Sequence, residues 1–426
     1  MQQVPDLRFS HAPLPEPAPG FDPAGDALAM VARGTESPAP APLPGRQAFG
    51  SLRPGQRYVV RIPDAWNGKL VAAGTPATRS EFANDLIWSD YALSRGYAFA
   101  SSNKGIPYNA ILEDGPGDRL QYDLPFDLPG VTLRGKRLRI GTLEPQPMSL
   151  LDWYGDYVAT IETARELIHS ATGRAPERTY AVGLSYGGAQ VRKLLETRPD
   201  LADGGVEWAA VFWSNERHFL TLLPGFLRLM PRYIASGYGD REAHDEIVAL
   251  GFPPDRRQDD PLHPSLWADH YSNSLPFYND VTTFVFGRLV DPDLPDVFGL
   301  AERAAFELSA AGRRTVASLA HTGGLKRPLV AIAGEADVFI TPQHNLEGYA
   351  AAVAAAGAAD AYSAYLVEDG THVDSYIAFG YGLQAQLPFA WAAFEQLERI
   401  VEGSAKPEGA ESVKRVANPA EISAAG

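Results

Sequence analysis

Thr179-Tyr-Ala-Val-Gly-Leu-Ser-Tyr-Gly-Gly-Ala189 decides how this chain is read. Its core, Gly183-Leu184-Ser185-Tyr186-Gly187, stands between an apolar strand-like run and a helix-like one. In that context a GxSxG pentapeptide forms a sharp strand-to-helix turn with the serine at its tip. Glycines bracket the turn because the chain reverses so tightly that a β-carbon there collides with neighbouring backbone. The turn lifts the Ser185 hydroxyl clear of the sheet. It also aims the N–H groups that follow at whatever the hydroxyl attacks.

A serine hydroxyl attacks poorly unless a base takes its proton, and an imidazole base needs a carboxylate to fix its tautomer. Chains built on this turn carry the three in the order serine, acid, histidine. Arg327-Pro-Leu-Val-Ala-Ile-Ala-Gly334 reads as a buried strand opened by Pro and closed by Gly, and Glu335-Ala-Asp337 follows it. Tyr362-Ser-Ala-Tyr-Leu-Val367 reads as the next strand, with Glu368-Asp-Gly-Thr-His372 after it. Ser185, Asp337 and His372 each follow a strand, and a parallel sheet gathers such positions at one edge.

Of the nine histidines, His372 alone follows a strand late enough in the chain. His169 lies in a helical pattern, His218, His244, His263 and His270 fall in a long intervening segment, and His344 opens the helix after Asp337. Asp337 is the expected acid. Glu335, two residues away, is the alternative, and Asp369 and Asp374 flank the histidine.

These residues resemble the α/β-hydrolase superfamily, over a span from about Tyr58 to Val401. The resemblance implies a mostly parallel central sheet with helices on both faces and a mainly helical cap insertion. In that family the third strand often ends in His-Gly-x-Pro, whose x residue supplies an oxyanion N–H. Lys69-Leu-Val-Ala-Ala-Gly-Thr-Pro76 matches Gly-x-Pro, with Ala73 where the family often has His. The resemblance therefore points to the N–H groups of Thr75 and Tyr186 as the oxyanion pair; Pro76 has no N–H to give. No His-Gly-Gly-Gly run of the hormone-sensitive lipase type is present. Arg61-Ile-Pro-Asp-Ala-Trp-Asn-Gly-Lys-Leu70 is similar to a segment of tannase/feruloyl-esterase and hydroxybutyrate-oligomer hydrolase relatives.

Composition removes several rivals. A 426-residue chain that is 45% hydrophobic and 21% charged has ample material for a large core. The net charge of −15 argues against a nucleic-acid partner. With no cysteine there is no disulfide, zinc–thiolate site or thiol nucleophile. No apolar run approaches the roughly 18 residues of a membrane span. Met1-Gln-Gln-Val-Pro lacks signal-peptide features, which leaves two locations open: cytoplasmic, or secreted or periplasmic after removal of a leader. No zinc-type histidine spacing, dinucleotide fingerprint or P-loop is found, so no cofactor or metal is expected.

The expected organisation is a Pro/Ala-rich arm over 1–50, core over 51–213, cap over 214–326, core again over 327–403 and a polar, frayed tail over 404–426. Strands are expected at Arg57–Ile62, Lys69–Ala73, Tyr97–Ser101 and Glu207–Trp213. Helices are expected at Phe82–Arg95, Trp153–Thr172, Ala189–Thr197 and Gln384–Val401, with a small hairpin within Val131–Ile140. The interval from Ser214 to Arg327 exceeds what one crossover helix needs. It is rich in aromatics (Trp267, Tyr271, Phe277, Tyr278, Phe284, Phe286), most of them expected to form the cap's own core and a few a substrate pocket.

Arg79 and Lys104 lie in loops at the active edge and are expected to be solvated surface charges. Asp240, Glu242, Asp245, Glu246, Asp259 and Asp260 are likewise expected on solvated faces, although an exopeptidase uses such a cluster to grip a substrate amine. The chemistry these residues point to is hydrolysis of a carboxylic ester, small or oligomeric, with an apolar or aromatic part. A peptidase or amidase of the prolyl aminopeptidase type, or a carbon–carbon hydrolase, would use the same three groups.

Overall fold

The structure, a computed structural model, describes residues 1–9, 11–15, 23–32, 41–77, 79–105, 108–112, 137–141, 149–269, 286–291, 307–379, 381–410 and 413–424. A ten-stranded sheet runs in the order β1-β2-β3-β5-β4-β8-β9-β10-β11-β12. Its strands are β1 (Gln2–Val4), β2 (Gly45–Gly50), β3 (Tyr58–Pro63), β4 (Lys69–Gly74), β5 (Ala98–Ser102), β8 (Arg178–Leu184), β9 (Gly204–Trp208), β10 (Leu329–Gly334), β11 (Tyr362–Val367) and β12 (Val413–Val416). The pairings among β1, β2, β3 and β5 are antiparallel, and every pairing from β5 through β12 is parallel. Strands covered on both faces read as unbroken apolar runs, and all six residues of Leu329–Gly334 are buried.

Helix Leu150–Thr172 begins at a capping box between Ser149 and Asp152 and stops at Gly173, where φ is +79°. It lies on the sheet face that holds Ile161, Ala181 and Leu195 in one apolar cluster. On the other face, helix Leu387–Val401 joins Val71, Val182, Val206 and Ile332 in a second cluster. This three-layered, mostly parallel arrangement is the α/β-hydrolase fold.

Several expected elements differ. The strand expected at Glu207–Trp213 runs from Gly204 to Trp208. Ala209 takes a φ of +45°, and beyond it the chain leaves the ladder: Phe212 N–H donates to Asn345 Oδ1 and Trp213 N–H to His321 Nδ1. Helix begins at Asp85 rather than Phe82, as a wide turn (Asp85–Ser89) running into Asp90–Ser94. The last helix starts at Leu387 instead of Gln384, because the Asp374 carboxylate accepts from the N–H groups of Gln386 and Leu387. Arg137–Gly141 pairs with Tyr108–Leu112 in a separate two-stranded sheet (β6 and β7), so the hairpin is not confined to Val131–Ile140; residues 131–136 lie outside those described.

Neither end of the chain is loose where it is described. Val413–Val416 forms the edge strand β12, and Ile422 is buried against the last helix, so the expectation of a frayed tail does not hold there. At the other end β1 joins the sheet, Leu7, Met30 and Val31 enter the main core, and β2 extends it from Gly45. In the 214–326 interval the described helices include Phe219–Ala235, Arg241–Ala249 and Ala310–Leu319. Tyr271, Phe277, Tyr278 and Phe284, together with His270, lie outside the described residues.

Candidate active site

Ser185 sits between the end of β8 and helix Tyr186–Thr197 with φ +59° and ψ −121°. A non-glycine residue at positive φ is strained, and such strain gathers at functional turns. The surroundings impose it. A β-carbon on Gly183 would lie 2.3 Å from the Gly187 carbonyl carbon, and one on Gly187 would lie 2.1 Å from Gly74 O and 3.1 Å from Thr75 N. The turn is thus wedged against the end of β4, where Gly74 is in register with Gly183. Ser185 N–H donates to Trp208 O at 2.8 Å, tying the turn to β9 on its other side.

Thr75 directly follows β4 and Tyr186 directly follows Ser185, so both backbone N–H groups lie at this junction. The Tyr186 ring packs edge-on against Trp153 at 5.0 Å and tilted against Phe286 of the 214–326 interval at 5.6 Å. Burial pushes its hydroxyl well above the usual range, so the side chain is a neutral wall.

Asp337 and His372 come together across the next two strand ends. His372 Nδ1 is 2.8 Å from Asp337 Oδ2, with the aspartate wholly buried and the histidine 8% exposed. Asp337 Oδ1 accepts from the N–H groups of Phe339 and Ile340, so one oxygen anchors the carboxylate and the other holds the imidazole. The loops meet because both are glycine-lined: a β-carbon on Gly334 would lie 2.3 Å from the Gly370 carbonyl carbon, and Ala336 N–H donates to Gly370 O. Phe339 packs on His372 at 5.5 Å and Tyr376 stacks on Phe339.

The neighbouring carboxylates are occupied elsewhere. Glu335 forms a two-pronged pair with Arg415, Asp369 pairs with Arg256, and Asp374 caps the last helix. Burial lifts the Asp374 carboxyl to about 6. Ser185 is 6% exposed and makes no hydrogen bond to His372 among the described residues; such bonds commonly tighten only when substrate is bound.

Of the other histidines, His218, His321 and His344 are buried, and burial pulls each down to about 4, so they pack as neutral rings. His344 faces Phe212 O, and His321 faces Ala189 O. His244 stacks on Trp267, His169 lies in helix Leu150–Thr172, and His263 lies in a loop beside Tyr381.

Two basic residues depart from expectation. Arg79 is ion-paired to Asp26 of the N-terminal arm at 3.0 Å. Lys104 is 1% exposed; its Nζ donates to Thr75 O at 2.7 Å and to Pro76 O at 3.4 Å. Lys104 is not a solvated charge, because it lies under backbone that only the folded chain supplies, whereas Arg79 stays partly exposed beside Asp26. The acidic residues, by contrast, are on the surface as expected: Asp240 caps helix Arg241–Ala249, and Arg232 pairs with Asp240 and Glu242.

A small cleft lies between the 253–267 segment and the loop carrying Asp337, with Trp267, Ala336, Val338, Tyr381 and Leu383 in its walls. Neither Ser185 nor His372 lines it. Among the described residues, no group of acidic or histidine side chains is placed to hold a metal ion, and no helix is long and apolar enough to cross a membrane.

The strand order, with the strained turn at Ser185 after β8, is that of the α/β-hydrolase fold. No protein-family profile and no curated protein matches the chain by sequence. Among solved structures it is similar to feruloyl esterase B from Aspergillus oryzae, at 13% identity and a TM-score of 0.49, covering 89% of this chain and 86% of that one. It is also similar to an esterase from Aspergillus oryzae, at 13% identity and a TM-score of 0.48, covering 86% and 80%. An acylaminoacyl peptidase from Pyrococcus horikoshii aligns at 12% identity and a TM-score of 0.40, covering 89% of this chain but 43% of the peptidase.

Proposed function

We propose that the protein is a serine hydrolase acting on carboxylic esters. The observation that carries the reading is the His372–Asp337 pair, formed beside the sheet edge at which Ser185 is held at positive φ. In this account Ser185 Oγ attacks the ester carbonyl while His372 Nε2 accepts its proton. Asp337 holds the imidazole by Nδ1 and stabilises the imidazolium. The N–H groups of Thr75 and Tyr186 take up the oxyanion, His372 returns the proton to the departing alcohol, and an acyl-Ser185 remains. Water, deprotonated by His372, then releases the acid. No step calls for a metal or an organic cofactor.

The 214–326 interval serves as the cap. Phe286, from this interval, touches Tyr186 and Trp153 directly, which supports an apolar or aromatic acyl or alcohol part. Initial rates on nitrophenyl esters from acetyl to long acyl, beside an aminoacyl nitroanilide, test the reading. Ester turnover with a defined chain-length preference is expected. Nitroanilide cleavage without ester turnover would move the assignment to a peptidase or amidase, and silence on both would favour carbon–carbon cleavage.

A further inference from the structure

We propose that Lys104 is a positioning residue for the oxyanion site: its amine holds the carbonyls of Thr75 and Pro76 so that the Thr75 N–H stays aimed at the reacting oxygen. The inference rests on the assignment of Ser185 as nucleophile and of Thr75 and Tyr186 as oxyanion donors. It answers a question the sequence raises, since Ala73 stands where a histidine often precedes Gly-x-Pro and nothing else in the sequence explains what orders this loop.

Lys104 is placed at a cost that a surface lysine does not bear. Its backbone has φ +58°, a conformation that L-residues with a β-carbon adopt only under constraint. The turn that enforces it is locked on both sides. Asn103 Oδ1 accepts from Arg57 N–H and Gly105 N–H, Asn103 N–H donates to Arg57 O, and Asn103 Nδ2 donates to Gly55 O. From this turn the side chain runs inward beneath Thr75. Its Nζ lies 5.2 Å from the centre of the Trp153 ring, the same ring that packs on Tyr186.

No carboxylate lies within ion-pairing distance of Lys104 among the described residues; nearby Asp156 is held by Arg53. Burial holds the amine well below its ordinary range, with Asp26 and Asp156 acting the other way. The partners it does have are the two carbonyl oxygens of the Gly-x-Pro loop.

The arrangement has a plain electrostatic consequence. A carbonyl oxygen turned toward the reacting centre would repel a developing oxyanion, and Lys104 engages two carbonyls of this loop. The Thr75 N–H belongs to the peptide whose carbonyl is Gly74 O, and that oxygen accepts from Asn84 Nδ2 at 3.3 Å. The Thr75 hydroxyl in turn donates to Ser102 O. Three consecutive carbonyls, of Gly74, Thr75 and Pro76, are therefore each fixed by a buried side chain, and the peptide between them has little freedom to rotate.

Lys104→Met and Lys104→Gln are compared with the wild type and Ser185→Ala in ester turnover, melting temperature and inhibition. The inhibitors are a trifluoromethyl ketone, which forms a tetrahedral oxyanion adduct, and the matching methyl ketone, which does not. In Lys104→Met kcat is expected to fall on the order of 100-fold, the lower end for loss of an oxyanion donor, with KM changed less than about 3-fold. Trifluoromethyl ketone affinity should fall in step with kcat/KM and methyl ketone affinity should not. Lys104→Gln, which keeps a neutral donor, should lie between.

Unchanged kcat in a folded Lys104→Met, or a kcat loss with trifluoromethyl ketone affinity intact, overturns the proposal. Failure of both variants to fold overturns it in favour of a purely structural lysine. Turnover that survives in Ser185→Ala overturns the nucleophile assignment instead, so the two failures are separable.

Discussion

Replacing Glu207 by Gln should reveal how the turn at Ser185 is held from beneath. Glu207 on β9 receives two contacts of 2.5 Å from Arg192, which sits on the helix that starts at Tyr186. The Arg192 and Glu207 side chains are 0% and 1% exposed. Burial lifts the Glu207 carboxyl above its usual range, and at Arg192 the neighbouring carboxylate outweighs burial and raises the guanidinium. The forked geometry is that of an ion pair, and we read both groups as charged.

Glu207→Gln leaves the guanidinium buried without its counter-charge, with the Tyr349 ring still 4.0 Å away. Breaking one side of such a pair costs about 3–5 kcal/mol. At about 2 °C per kcal/mol for a chain of this size, melting should fall by roughly 6–10 °C. Urea titration and thermal melting followed by circular dichroism measure this directly. The double variant Arg192→Met/Glu207→Leu should recover most of the loss, because an apolar pair of similar volume removes both desolvation costs. The reasoning is refuted if Glu207→Gln melts within about 1 °C of the wild type, or if the double variant is no more stable than the single one.

Asp337→Asn should lower kcat by as much as about 10⁴-fold by destabilising the required imidazole tautomer, whereas Glu335→Gln should stay within a few-fold; the reverse ranking in steady-state assays would transfer the acid role to Glu335. Gly187→Ala places a β-carbon 2.1 Å from Gly74 O, so β4 or the turn must move; a loss of at least about 100-fold in kcat/KM is expected, and near-normal turnover would contradict the wedge. Burial lifts the Asp90 carboxyl to about 7 while it accepts from Phe9 N–H. Its folded pKa thus lies above its unfolded value, so its contribution is present at low pH and fades as pH rises through about 7. Asp90→Asn should flatten the melting profile between pH 5 and 8 by about 2–3 kcal/mol relative to the wild type, and an unchanged slope would refute this.

The fold was legible because its decisive elements are local. Strands such as Leu329–Gly334 are unbroken apolar runs, and the turn at Ser185 needs glycines that only a tight reversal demands. The pairing of Asp337 with His372 was legible too, since both follow strands and chain order selects among the histidines. What the sequence concealed depends on distant partners. Trp208 ends its strand because the residues after it find better acceptors in His321 and Asn345, more than a hundred positions away. Lys104 looked like a solvated loop charge because nothing local reveals that Thr75 and Pro76 roof it over. The one available hint was negative: a Gly-x-Pro loop lacking its preceding histidine needs some other support. β12 escaped notice because Val413-Lys-Arg-Val416 is too short and polar to read as a strand without β11 to pair with.

Covalent labelling of the intact protein with a fluorophosphonate, with the adduct located by peptide mass mapping and ester turnover followed in parallel, tests the central claim most directly. The account predicts one adduct on Ser185, turnover lost in proportion to labelling, and Ser185→Ala both unlabelled and slower by about four to six orders of magnitude with its melting temperature retained. An adduct on another residue, or a folded Ser185→Ala that still turns over ester, would contradict it.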